Sequence, residues 1–345
     1  MADKDKNSPY IQKEGDSDGK GLKRTIKSYK NESFLNSHDG RLVRIVCEFE
    51  EPRQRLKRNY IRSTVLVFGS ARAMTTAQHA QTKHNLEKQL EAASAQPGNE
   101  QEVKDLQSQL VRLESLEWMC PWVGKCEEVA RRIALFAKEN PELINKSFNF
   151  IPDYFQMNYD EIAKLEEDDV SSNVSTPSTA SVAETMSGRF CDLVVTTGGG
   201  PGFMEAANKG AASVRGTKTM GMGISLPFEK GLNPFVSDDL AFEFHYFFTR
   251  KFWMMYSCRA IIVAPGGFGT LDEMFELLTL RQTKKIPTFP VVLLGESFWK
   301  TVINWQALAD YGVISQHEID SLCFTDSAEE AVAFIKQFYV NLISQ

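Results

Sequence analysis

Five short apolar runs that stop at glycine or proline turns constrain this chain more than any other feature. They are STVLVFGS (63–70), CDLVVTTGGG (191–200), TMGMGISLP (219–227), AIIVAPGG (260–267) and PVVLLG (290–295). Near-continuous apolar character marks strands buried on both faces, as in a parallel sheet. Helical patterns lie between several of the runs, and strands alternating with helices form a parallel sheet covered on both sides. The predicted fold class is therefore α/β, a Rossmann-like doubly wound parallel sheet with helices on both faces. Ligands bind such sheets beyond the carboxyl ends of the strands, where these glycine turns fall.

The remainder of the chain is read around that sheet. Residues 1–35 are polar and lysine-rich and predict a disordered tail, leaving 36–345 as a single domain. Leu86 and Leu90 begin a helical pattern that stops at QPGN (96–99), and Val103, Leu106, Leu110 and Leu113 resume it. Steps of three and four residues are the seam of an amphipathic helix, so a helical hairpin is expected at about 80–118, inserted after the first strand. The segment LEEDDVSSNVSTPSTASVAETMSG (165–188) is acidic and then Ser/Thr-rich; it cannot bury a core and predicts a flexible surface loop.

Charge and composition exclude several functions. A net charge of −6 argues against a general nucleic-acid-coating role, which needs a cationic excess. No apolar run approaches the roughly 18 residues of a membrane span, and the first ten residues, MADKDKNSPY, lack a signal-peptide core. The six cysteines form no CxxC pair, which fits a reducing cytoplasm. His79 and His84 fall off a common helical face, so no metal site is expected.

Three strand-to-helix turns carry the candidate chemistry: FGSARAM (68–74), TTGGGPGFMEAANKGA (196–211) and PGGFGTLDE (265–273). Glycines admit a ligand close to the backbone, and helix starts offer free N–H groups and a positive dipole end. GxGxxG is not met, because Phe203 stands where its third glycine belongs, and GxxxxGK[ST] is absent. These turns favour a nucleotide monophosphate or a similar ligand over a dinucleotide or a triphosphate. Thr270 and Glu273 have two readings: a capping box with Thr270 as N-cap, or a carboxylate presented to a pocket. Met274, Leu277 and Leu278 would face the sheet, while Glu273 and Glu276 share another face. Within FEFHYFFTRKFWMMYSC (242–258), Arg250 stands among aromatics. It either reaches solvent or a structural partner, or offers its fork to a carboxylate or phosphate.

PGGFGTLDE preceded by RKFWM resembles the Lonely Guy family of phosphoribohydrolases, whose signature is PGGxGTxxE after an RKxxM-like segment. FGSAR, GGGPGFMEAANKGA, GISLPFEKGLNP, FHYFFTRK and SYKNESFLNSHDGRLVRIVCEFEEP (28–52) are similar to its longer, bacterial-type branch, and the resemblance covers about residues 25–340. It implies hydrolysis of the N-glycosidic bond of cytokinin riboside or other purine 5′-monophosphates, to free base and ribose 5-phosphate, without a cofactor. It implies that Arg250 and Glu273 are catalytic. Gly266, Gly267, Gly269 and Thr270 would hold the 5′-phosphate. Ser70, Arg72, Gly199, Gly200, Met204, Glu205, Lys251 and Glu276 are substrate-binding candidates, and Asn233 is a weaker one. The family pairs through helices beside the site, and Phe247, Phe248, Phe252, Trp253, Met254, Met255 and Tyr256 surround one helix here, so a homodimer or higher homo-oligomer is expected. Relatives often carry the label lysine decarboxylase, but pyridoxal phosphate needs a Schiff-base lysine and a partner for the ring nitrogen, and Lys251 alone does not establish these. The rival reading is a non-catalytic nucleotide-binding or sensor protein of the same fold.

Overall fold

The computed structural model describes residues 25–148, 191–225 and 231–344. The expected loop at 165–188 and residues 1–24 of the expected 1–35 tail lie outside the described residues, whereas 25–35 carry a 3-10 turn (Ser28–Lys30) and a short helix. The chain divides into two compact units, 1–54 and 55–345. In the first, Asn31 caps the short helix α1 (Glu32–Leu35) by accepting from the Phe34 N–H at 3.2 Å. Arg44, on α2 (Arg41–Arg58), donates to the carbonyls of Leu35 and Ser37 and closes the intervening turn.

The second unit is built on a seven-stranded sheet in the order β4-β3-β2-β1-β5-β6-β7. The strands are β1 (Thr64–Phe68), β2 (Val194–Thr197), β3 (Thr219–Ile224), β4 (Ala241–Phe244), β5 (Cys258–Val263), β6 (Val291–Leu294) and β7 (Leu322–Thr325), all paired in parallel. Every residue of β1, β5 and β6 is buried, as burial on both faces requires. The chain runs outward from β1 to β4 and then returns to β5 on β1's other side. The topological switch point therefore lies between β1 and β5, where ligands bind in open α/β sheets. Beyond the strand ends the two stay tied: Ala264 N–H donates to the Phe68 carbonyl at 2.8 Å and Ser70 N–H to the Pro265 carbonyl at 2.9 Å.

After β1 come α3 (Thr76–Ser94) and α4 (Glu100–Glu114), the inserted hairpin, closed over buried Leu106 and Leu113. The His79 ring lies 2.9 Å from the Leu113 carbonyl and joins the two helices. Then follow α5 (Cys120–Glu139), α6 (Pro141–Phe148) and, after β2, α7 (Phe203–Ala212). Helices α5, α7 and α13 (Ala328–Ile343) share one core with Val65, Val67, Val195, Ile262 and Val292. Gly210 sets how close α5 and α7 come, since a Cβ there would stand 2.0 Å from the Glu127 carbonyl oxygen. Alternate strand residues point to the opposite face. There α8 (Phe247–Tyr256) and α9 (Phe268–Gln282) bury Trp253, Met254, Met274 and Leu277. The segment after β6 forms α10 (Glu296–Val302), α11 (Trp305–Asp310) and α12 (Gln316–Asp320).

Candidate functional site

Arg250 lies in the first half of α8, buried beside the sheet. Its Nε donates to the Met222 carbonyl of β3 at 2.7 Å, and its Nη1 donates to Glu273 Oε1 at 3.0 Å. Only 9% of the Arg250 side chain and 14% of the Glu273 side chain is exposed. The guanidinium lies against the backbone of the second glycine turn, where a Cβ on Gly198 would come 2.5 Å from Nη2. A glycine is therefore needed at 198 for Arg250 to reach this position. Burial pushes the Glu273 carboxyl above its ordinary value, and the opposing charges of Arg250 and Lys251 offset this only in part. A carboxyl of raised pKa in contact with a fixed cation is a candidate for chemistry.

The capping box is not formed. Helix α9 starts at Phe268 with Gly267 as N-cap and no side-chain cap. Thr270 is thus a third helical residue, buried under Gly266, where a Cβ would stand 2.2 Å from its Oγ1. The three added residues of helix, 268–270, move Glu273 into the second turn, facing α8. Above Gly267 and Gly269 the space is open, since a Cβ on either would meet nothing within 4 Å. These two glycines are not demanded by packing, and they leave the helix start bare.

Lys251 projects from α8 to the same helix, with Nζ 2.6 Å from Asp272 and 2.8 Å from Glu276. Burial pulls the Lys251 ammonium down, but the hydrogen bonds and charges of Asp272 and Glu276 together outweigh it, so the pKa ends above its ordinary value. Lys251 and Glu276 therefore engage each other beside the Arg250–Glu273 pair.

The second turn is held by buried Thr197 and Asn208, which the sequence reading missed, and by half-buried Asn233, its weaker candidate. Gly199 has φ +75° and Gly202, the N-cap of α7, has φ +71°, a region that suits glycine. Thr197 Oγ1 accepts from the Gly199 N–H at 2.9 Å and donates to Asn208 Oδ1 at 2.7 Å. Asn233 Nδ2 lies 3.1 Å from the Gly199 carbonyl, 3.2 Å from that of Gly200 and 2.9 Å from Asn208 Oδ1. The polar residues Thr197, Asn208 and Asn233, spaced around two glycine runs, were the available signal. Met204 covers the turn, with its sulfur 2.9 Å from a Cβ placed on Gly198 and its methyl 2.7 Å from one on Gly200. Glu205 is half-buried on α7. Turn two also packs on turn one, because a Cβ on Gly202 would meet the Ser70 carbonyl at 2.4 Å. Ser70 Oγ accepts from the Arg72 N–H at 3.1 Å, and Arg72 itself is exposed.

Among the described residues no group of three or more His, Cys, Asp or Glu could hold a metal ion. No helix among them is long and apolar enough to cross a membrane.

A family model described as "Possible lysine decarboxylase" matches residues 204–335, which span β3 to β7 and include both Arg250 and Glu273. Over that stretch the chain is similar to the family, in keeping with the resemblance its motifs carry. No curated protein matches the chain significantly. A solved structure described as the molybdenum cofactor binding protein from the phototrophic bacterium Rippkaea orientalis is similar at 25% identity. That similarity covers 42% of this chain and 77% of the other, with a TM-score of 0.29.

Pyridoxal phosphate, which the decarboxylase label implies, does not fit the residues of this site. A Schiff-base lysine is activated by a depressed pKa. Lys251, the lysine beside the pair, is instead held as an ammonium between two carboxylates.

Proposed function

We propose that the chain hydrolyses the N-glycosidic bond of purine-type nucleoside 5′-monophosphates, releasing free base and ribose 5-phosphate. The observation that carries this reading is the buried Arg250–Glu273 pair, set against a glycine turn beside the carboxyl ends of β2 and β3. The bare N-terminus of α9 lies at the neighbouring switch point and suits a phosphate. In the reaction the C1′–N9 bond breaks, water oxygen bonds to C1′, and a proton reaches the departing base. Positive charge grows on the sugar as the bond lengthens, and an ionised Glu273 would stabilise it or orient the attacking water. Arg250 holds that carboxylate in place and favours its charged form against the effect of burial. Gly266, Gly267, Gly269 and Thr270 belong to the phosphate end in this reading. Ser70, Arg72, Gly199, Gly200, Met204 and Glu205 border the nucleoside from the other two turns. Lys251 and Glu276 fix α8 against α9.

The test is incubation of the purified protein with AMP and with isopentenyladenosine monophosphate, followed by chromatographic separation of free base. Release of base supports the enzyme and ranks the two substrates. Saturable nucleotide binding with no base released would favour the sensor reading.

The same reading carries an assembly. Phe247, Phe248 and Phe252 on α8, and Phe268 on α9, are all exposed, Phe268 at 92%. So much exposed aromatic surface beside a site suits an obligate interface, and we place a homodimer contact there. Light scattering at micromolar concentration should give at least a dimer mass; a monomer with full activity would remove the contact.

A further inference from the structure

We propose a second ligand site, for a flat organic carboxylate, between the C-terminal half of α9 and the α11–α12–β7 segment. The cavity there has a volume of about 450 Å³, within the range of small-molecule pockets. Phe275, Leu278, Trp305, Leu308 and Ile314 supply its apolar wall. The Phe275 and Trp305 rings lie 6.2 Å apart at 32°. Trp305 Nε1 already donates to the Trp299 carbonyl at 3.1 Å. The indole is thereby fixed, and what it offers the cavity is an apolar ring surface.

The polar element is Arg281, in the last turn of α9. Its Nη1 donates to the Phe289 carbonyl at 3.2 Å and its Nη2 to Ser321 Oγ. A guanidinium has five N–H donors. These two bonds orient it and leave capacity for a carboxylate, whose geometry matches the fork. Arg281 is half-buried, and burial pulls its pKa below the ordinary value against the attraction of Glu318. Glu318 is the acidic residue in the lining, and its Oε2 is engaged by the Ser315 N–H at 2.7 Å. Arg281 and Lys284 outnumber it, so the lining favours an anion.

The site is separate from the Arg250–Glu273 pair. Arg281 follows Glu273 by eight residues on one helix, about 12 Å of rise. A ligand bridging Arg281 and Trp305 would tie α9, the helix that carries Glu273, to α11. This inference does not depend on the hydrolase reading.

Calorimetry on the full chain with 2-naphthoate, and with the neutral 2-naphthalenemethanol, tests it. The expected result is one saturable naphthoate site per chain, with the alcohol about tenfold weaker. Arg281→Gln should weaken naphthoate to the level of the alcohol and leave the alcohol unchanged. Leu308→Trp, which fills the cavity, should abolish both while the melting transition persists. Equal binding of acid and alcohol would overturn the proposal, as would no saturable heat at millimolar ligand or unchanged binding in folded Leu308→Trp. If Leu308→Trp fails to fold, the acid–alcohol comparison and Arg281→Gln decide. Self-association lost in Leu308→Trp, with no naphthoate bound by the wild type, would assign the groove to a second copy and also overturn it.

Discussion

Two buried arginine–carboxylate pairs stand at opposite ends of this sheet. Arg62 and Asp192 precede β1 and β2, with 12% and 10% of their side chains exposed. Arg250 and Glu273 lie beside the carboxyl ends of β2 and β3 and are as well buried. Burial therefore does not separate them; hydrogen-bond saturation does. Arg62 grips both oxygens of Asp192 and also Asn145, and Asp192 Oδ1 accepts from Ser63 Oγ at 3.0 Å. Among the described residues, the hydrogen bond that reaches Glu273 comes from Arg250, on one oxygen. A closed network locks strand starts together. A carboxylate with a free oxygen, a raised pKa and glycine backbone around it retains capacity to interact with something else.

The largest expected effects break this comparison directly. Glu273→Gln should lower kcat by at least 10²–10⁴-fold, the usual worth of a positioned acid–base group. Gln keeps the size and an oxygen for Arg250, so the melting temperature should change little. Asp192→Asn should do the reverse: a loss of about 3–5 kcal/mol, because Arg62 is left buried without its opposite charge, with turnover per folded molecule unchanged. Denaturant melts and kcat on both variants check this. A matching profile for the two variants would erase the distinction.

The pH profile sharpens it. If Glu273 acts ionised, activity is present above its pKa and lost as pH falls through it. Burial raises that pKa, so the acidic limb of kcat/KM should lie above the ordinary glutamate value of about 4.3. The charge of Lys251 opposes the rise. Lys251→Met should therefore move the limb to still higher pH, and a shift the other way would contradict the electrostatics.

Gly198→Ala is next in size. The added methyl would have to share space with Arg250 Nη2, while φ at Gly198 is not in the left-handed region. Folding should survive, with kcat reduced about tenfold for a misplacement worth roughly 1.4 kcal/mol. Asn233→Ala, which removes the side-chain donor to the Gly199 and Gly200 carbonyls and leaves the backbone N–H of residue 233 on Gly199 at 2.7 Å, should raise KM more than it lowers kcat if turn two borders the nucleoside.

The central strands were legible because β1, β2, β3, β5 and β6 are continuous apolar runs ending at glycine or proline. The edge strands β4 and β7 were not. AFEF buries alternate residues and LCFT is mostly half-buried, so neither reads as an apolar run. Of the two readings of TLDE, the capping box fails for a local reason: Gly267 starts the helix earlier. Pairing of Arg250 with Glu273 needed the fold, because 23 residues and a whole strand separate them. The buried Thr197–Asn208 pair, to which Asn233 is joined, was invisible for a similar reason. Asn and Thr near glycines read as turn formers, and only packing shows which are buried.

The smallest expected effect concerns the pair that neighbours the site. Glu276 is 38% exposed and Asp272 58% exposed, while the Lys251 they share is 19% exposed. Removing one carboxylate with Glu276→Gln leaves Lys251 the other at 2.6 Å, so no charge is stranded. The exposure of Glu276 screens its share of the attraction, and a pair of this kind is worth about 0.2–1 kcal/mol. The melting temperature should fall slightly at low ionic strength, and the difference should shrink in 1 M salt, where the screening length is about 3 Å. Turnover should change less than about fivefold, by the same free-energy scale. If Glu276→Gln costs as much activity as Glu273→Gln, the α8–α9 contact contains a second reacting carboxylate, and the contrast between saturated and unsaturated pairs must be redrawn to include it.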